Sequence, residues 1–168
     1  MTPADAVARA KTCIGHRVAY ILGQGGMKTD APFPWVTPET GCDCSGFANW
    51  CLARSRADAA GIWWSTDQIC ADALHEQSHF APVAWKDAAP GDLVVYPHQS
   101  EGHYGHVGIV SLTGLLGPSA VIHCSHGNWR VLGDAVAETP SALWSNPLLK
   151  GSIVARYKGF TAPTPPVA

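Results

Sequence analysis

The chain has 168 residues, 46 % of them apolar, and a formal net charge of −2. That is length enough for one buried core, and most simply for one domain over 1–160 followed by a proline-rich, flexible tail at 161–168. So small a net charge gives no reason to expect nucleic acid or an anionic membrane as a partner. No run is long and apolar enough to span a bilayer, and the N-terminus lacks the basic-then-apolar order of a signal peptide.

In chain order, Thr2-Pro3-Ala4-Asp5 reads as a helix start, with a capping threonine, proline at the first helical position and an acid three residues after the cap. This helix is expected to reach Cys13 and stop at Gly15. His16–Leu22 is a short apolar stretch, a strand or a helical turn. Residues 23–41 hold four glycines, three prolines and Trp35, and read as a long loop. Cys44, Phe47, Ala48, Cys51 and Leu52 then recur at helical spacing, with Asp43 as the expected N-cap. Cys44 therefore stands at a loop-to-helix junction, where the helix N-terminus favours a thiolate and the neighbouring Asp43 opposes it.

Ser65-Thr66-Asp67-Gln68 starts a further helix, to about Glu76. Pro90-Gly91-Asp92 is a turn, and Leu93–Tyr96 and Gly105–Ser111 are strands. A hairpin through residues 113–118 leads to a strand over Ala120–Cys124. Trp129–Leu132 and Ile153–Tyr157 are further strand candidates, and Thr139-Pro140 is a candidate helix cap. Helices first and strands later imply an α+β fold with an antiparallel sheet.

Six cysteines are too few for a disulfide scaffold in a chain of this length. Cys13, Cys51 and Cys70 read as buried, inert thiols, whereas Cys42, two residues before Cys44, is open to a regulatory disulfide. Of the histidines, His106 opens a strand and His123 lies on the next one. A hairpin that pairs Leu112 with Ser119 puts both rings on one sheet face and turns Cys124 and His126 to the other. A thiol, an imidazole and a group that orients the imidazole are what nucleophilic amide hydrolysis needs. A metal module built on Cys42, Cys44, His103, His106, His123 and His126 is disfavoured, since Cys-X-Cys is not a usual zinc spacing; no cofactor or metal is expected.

Asp43-Cys44-Ser45-Gly46-Phe47, Pro90-Gly91-Asp92-Leu93-Val94, Gly105-His106-Val107-Gly108-Ile109 and Ile122-His123, with Tyr20 and Gly25-Gly26 before them, resemble the NlpC-type superfamily of papain-like cell-wall cysteine peptidases. The resemblance covers about residues 16–157. It implies a papain-like α+β fold with the nucleophile at a helix N-terminus packed on an antiparallel sheet. It implies Cys44 as nucleophile, His106 as general base and acid, and His123 as third member of the triad. Tyr20 would line the pocket, and Asp43 and Ser45 would receive a free amine of the peptide. The implied substrate is a peptidoglycan stem peptide, cut between D-glutamate and the diamino acid through a thioester acyl-enzyme. Alternatives are an N-acetylmuramoyl-L-alanine amidase, or a papain-like amidase or acyltransferase acting on a non-wall substrate. An antibacterial effector with its inhibitor or immunity protein, and a phage lysin, are the two contexts that suit a chain of this kind; either would act in the periplasm or cell wall after injection, lysis or another non-classical route, by default as a monomer. The stretch between Gly26 and Asp43 is longer than the family's usual link, so a flap over the site is expected there.

Overall fold

The first helix is written into its own first turn. In the computed structural model, which describes residues 1–144 and 151–161, Thr2 Oγ1 accepts the Asp5 N–H at 3.2 Å and Asp5 Oδ2 accepts the Thr2 N–H at 2.8 Å. These bonds satisfy two of the free donors at the start of α1 (Pro3–Thr12). The chain leaves α1 at Cys13 and turns at Gly15, and its 14–43 segment is a loop whose ordered feature is a parallel bridge between Tyr20 and Cys42. The helix α2 (Cys44–Cys51) follows, with all eight residues buried. A short helix buried on every side belongs inside a core rather than on a surface, and its two polar side chains, Ser45 and Asn49, are hydrogen-bonded there.

Next come α3 (Thr66–Ala71), capped by Ser65 through the Gln68 N–H, and a π turn over Asp72–Glu76. The remaining chain builds a six-stranded antiparallel sheet from β1 (Phe80–Val83), β2 (Leu93–Tyr96), β3 (His106–Gly114), β4 (Gly117–Cys124), β5 (Val136–Pro140) and β6 (Ile153–Tyr157), in the spatial order β1-β6-β2-β3-β4-β5. The Pro90-Gly91-Asp92 turn is fixed by Asp92, whose carboxylate accepts the Ala89 N–H and two bonds from Arg156 at 2.8 Å each. Leu93, Val95, Val107, Ile109, Ile122 and Cys124 point to the helical face, where the main core lies. Val94, Val110, Val121 and Val154 point to the other face and pack with Trp144. Strands covered on both faces read as continuous apolar runs, as these do.

Several expectations are corrected. Trp129–Leu132 is not a strand: it belongs to α4 (His126–Leu132), capped by Ser125 and closed by Gly133 with φ 68°. Thr139-Pro140 does precede a short helix, of 3-10 type at Ser141–Leu143, but it also ends β5 and makes no side-chain capping bond. The long loop is no flap over Cys44. Phe33 and Trp35 stack at 5.0 Å and 6° and pack against His16, and Trp50 Nε1 donates to Ala31 O at 2.9 Å. Leu112 faces Ala120, not Ser119, because the ladder shifts at Ser111, but the register returns by Thr113. The two irregularities compensate, so the face shared by His106 and His123 is kept. Of the expected tail, residues 162–168 lie outside the described residues, and Thr161 is hydrogen-bonded to Met1. No helix among the described residues is long and apolar enough to cross a membrane.

Candidate active site

Cys44 is the first residue of α2 because Asp43 caps it, Oδ1 accepting the Gly46 N–H at 2.8 Å. The loop before it lies backbone to backbone on the helix. A Cβ at Gly46 would come within 2.6 Å of the Gln24 carbonyl, and one at Gly26 would meet the Gly46 backbone. The two glycines are thus the condition for holding the Cys44 turn so close to the preceding segment.

Asp43 is buried, with 1 % of its surface exposed. Its Oδ2 takes Arg56 Nη2 at 2.5 Å and the Gly23 N–H at 2.7 Å, and its Oδ1 takes the Ser45 hydroxyl at 3.1 Å besides Gly46. Arg56 also donates to Ser45 Oγ at 2.8 Å and to Gln24 O at 2.9 Å. An amine arriving from a substrate would therefore meet a carboxylate already holding a guanidinium. Arg56, under the half-exposed ring of Trp63 at 4.5 Å, is a residue the sequence reading missed.

On the sheet, His106 Nε2 and His123 Nδ1 are 2.8 Å apart, and His123 Nε2 and Thr139 Oγ1 are 2.9 Å apart. Gly108 makes this meeting possible, since a Cβ there would lie 2.9 Å from the Cβ of His123. Trp144 stacks on His106 at 5.0 Å and 9° and meets His123 edge-on. Thr139 and Trp144 also escaped the sequence reading.

The cleft has two lobes. The larger, about 730 Å³, is lined by His106, His123, Tyr96, His126 and Trp144 among others. The smaller, about 290 Å³, is lined by Cys44, Asp43, Ser45, Arg56, Trp63 and His98 among others. Tyr20, Leu22, Tyr104 and Gly105 belong to both. His126, expected to face away, lines the larger lobe as the first residue of α4, whereas Cys124 does face the core. The Val107 N–H and the Tyr20 hydroxyl both lie beside Cys44. Among the described residues no hydrogen bond joins Cys44 to His106; thiol and imidazole line adjoining lobes.

Burial, then the Asp43 charge, push the Cys44 thiol up to about 12, against the pull of the Val107 N–H and Arg56. Burial, and then His123, hold His106 well below the usual imidazole range, and burial takes His123 to about 4. Desolvation thus opposes the helix N-terminus and favours the uncharged form of both the thiol and the imidazole. The tautomer that makes His106 a base has Nε2–H donating to His123 Nδ1, His123 Nε2–H donating to Thr139, and His106 Nδ1 bare. Such a chain can accept a proton from a thiol and return it to a leaving amine. No group of three or more His, Cys, Asp or Glu side chains among the described residues is arranged to hold a metal.

Among curated proteins none matches this chain. The family model described as the CHAP domain matches residues 34–128, more than half of the chain, and that span contains Cys44, His106 and His123. A thiol on a helix N-terminus, histidines on an antiparallel sheet and this match together place the chain in the CHAP domain family, cysteine- and histidine-dependent peptidoglycan hydrolases, amidases or peptidases, of the NlpC-type papain-like group.

Proposed function

We propose that this chain is a stem-peptide endopeptidase that cuts the amide between D-glutamate and the diamino acid, with Cys44 as nucleophile, His106 as general base and acid, and His123 as the group that orients His106. What supports this reading most is the chain His106–His123–Thr139, which ends in one lobe of the cleft whose other lobe holds Cys44.

The substrate carbonyl enters beside Cys44 with the scissile bond lying across the ridge of Tyr20 and Gly105. His106 Nδ1 takes the thiol proton as the sulfur attacks the carbonyl carbon. The developing oxyanion meets the Cys44 N–H, which at the first position of α2 has no intrahelical acceptor. The imidazolium then gives its proton to the leaving amine, and a thioester remains. Water, deprotonated by His106, clears it and regenerates the thiol. Because both groups rest neutral, the proton moves only when substrate charge develops, and the idle thiol is a poor target for oxidants.

Tyr20, Asp43 and Ser45 wall the lobe that receives the acyl side. With Asp43 and Ser45 bridged by Arg56, a free amine on the peptide has to share that carboxylate. The same chemistry serves an antibacterial effector or a phage lysin, and an effector's inhibitor would plug the Cys44 lobe.

The test is mass spectrometry of peptidoglycan fragments after digestion. Fragments ending at D-glutamate, with a matching new amine on the diamino acid, are expected. Intact stem peptides released from the glycan would replace this reading with the muramoyl-alanine amidase one.

A further inference from the structure

Behind the nucleophile, the core holds Cys13, Cys42, Cys51 and Cys124, all free and buried. Cys42 and Cys124 touch: their sulfurs are 3.4 Å apart, and Cys124 Sγ donates to Cys42 O at 3.3 Å. They are 82 residues apart in sequence. Cys42 directly precedes the Asp43 cap, and Cys124 directly follows His123. A bond between them would tie the nucleophile's loop to the strand that carries the third histidine. Bringing the sulfurs from 3.4 Å to the roughly 2.05 Å of a disulfide is a movement of about 1.4 Å, within reach of side-chain rotation. Peptidoglycan lies outside the cytoplasm, where disulfides form and persist.

We propose that Cys42 and Cys124 are a disulfide site, closed while the chain folds and both thiols are still accessible. The oxidant is a disulfide, either oxidised glutathione or a thiol–disulfide oxidoreductase. One of the two cysteines, as thiolate, attacks the oxidant and releases one of its thiols. The other attacks the mixed disulfide and releases the second thiol. Two protein thiols and one oxidant disulfide thus become one protein disulfide and two oxidant thiols. Cys44, whose sulfur faces the cleft, remains a thiol, as do Cys13, Cys51 and Cys70.

The test refolds the reduced full chain in a mixture of reduced and oxidised glutathione. Free thiols are then alkylated in denaturant, and the unreduced peptides are mapped with fragmentation to tell Cys42 from Cys44. One link, Cys42 to Cys124, with the other four cysteines alkylated, is expected. The Tm of the oxidised protein should exceed that of the reduced protein by about 8 °C, because the bridge closes a long loop. A Cys42→Ala, Cys124→Ala protein should show no such redox-dependent shift. Alkylation of both cysteines in the refolded wild type, or a link between any other pair, overturns the proposal. The mapping reads no hydrolysis, so its failure is distinct from a failure of the endopeptidase reading.

Discussion

His106→Ala should lower kcat on peptidoglycan by about 10³-fold or more with little change in KM, because it removes the only proposed acceptor for the Cys44 proton while leaving the cleft open. A merely structural role would show in Tm instead, and Tm should stay close to that of the wild type. The pH profile adds a second signature. The folded pKa of His106 lies below the ordinary imidazole value, so its base form persists as pH falls through 6.5 and the acid limb of kcat/KM lies below that value. The Cys44 thiol, held up to about 12, should react with iodoacetamide at a rate that climbs across the neutral range, roughly tenfold per pH unit, as the thiolate fraction grows. A rate flat between pH 5 and 8 would mean a preformed thiolate–imidazolium pair and would contradict the neutral resting state.

Arg56→Met should be the most destabilising change near the site. It leaves the Asp43 carboxylate, 1 % exposed, without its guanidinium at the N-terminus of α2. Removing one partner of a buried ion pair costs about 3–5 kcal/mol, which for a chain of this size lowers Tm by roughly 10 °C. Adding Asp43→Asn, which keeps an N-cap acceptor but removes the stranded charge, should recover part of the loss. An unchanged Tm in the single variant would show that the bridge from Arg56 to Asp43 and Ser45 does not hold the turn before Cys44. Activity of the double variant on stem peptides with a free amine is informative too, since it alters the charge that such an amine would meet.

The elements that were legible in the sequence are those whose chemistry is local. The caps at Thr2, Asp43 and Ser65 lie within three residues of the N–H groups they satisfy, and β2, β3 and β4 are central strands with apolar runs. The two strands that escaped, β1 and β5, are the edges of the sheet, and each contains a proline (Pro82, Pro140). Proline is tolerated at an edge, so it misleads there. The apolar residues of Trp129–Leu132 suggested a strand, although Ser125 and Gly133 bracket α4 with the usual start and stop residues.

At the site, Cys44, His106 and His123 stood in motifs, whereas Arg56, Thr139 and Trp144 stood in none. Their contacts with Asp43, His123 and His106 come from folding alone. Of the two opposing effects read at Cys44, the Asp43 charge acts as expected, and burial adds to it. A helix N-terminus can be read from sequence, but the desolvation that opposes it depends on burial, which the sequence does not display.

The most direct test of the central claim is the release of soluble fragments from purified Gram-negative sacculi by the wild type and by Cys44→Ala. The wild type should release them steadily, and the variant should release none above the blank while unfolding at a similar temperature. Equal release by the two proteins would contradict the account, because hydrolysis would then not pass through Cys44.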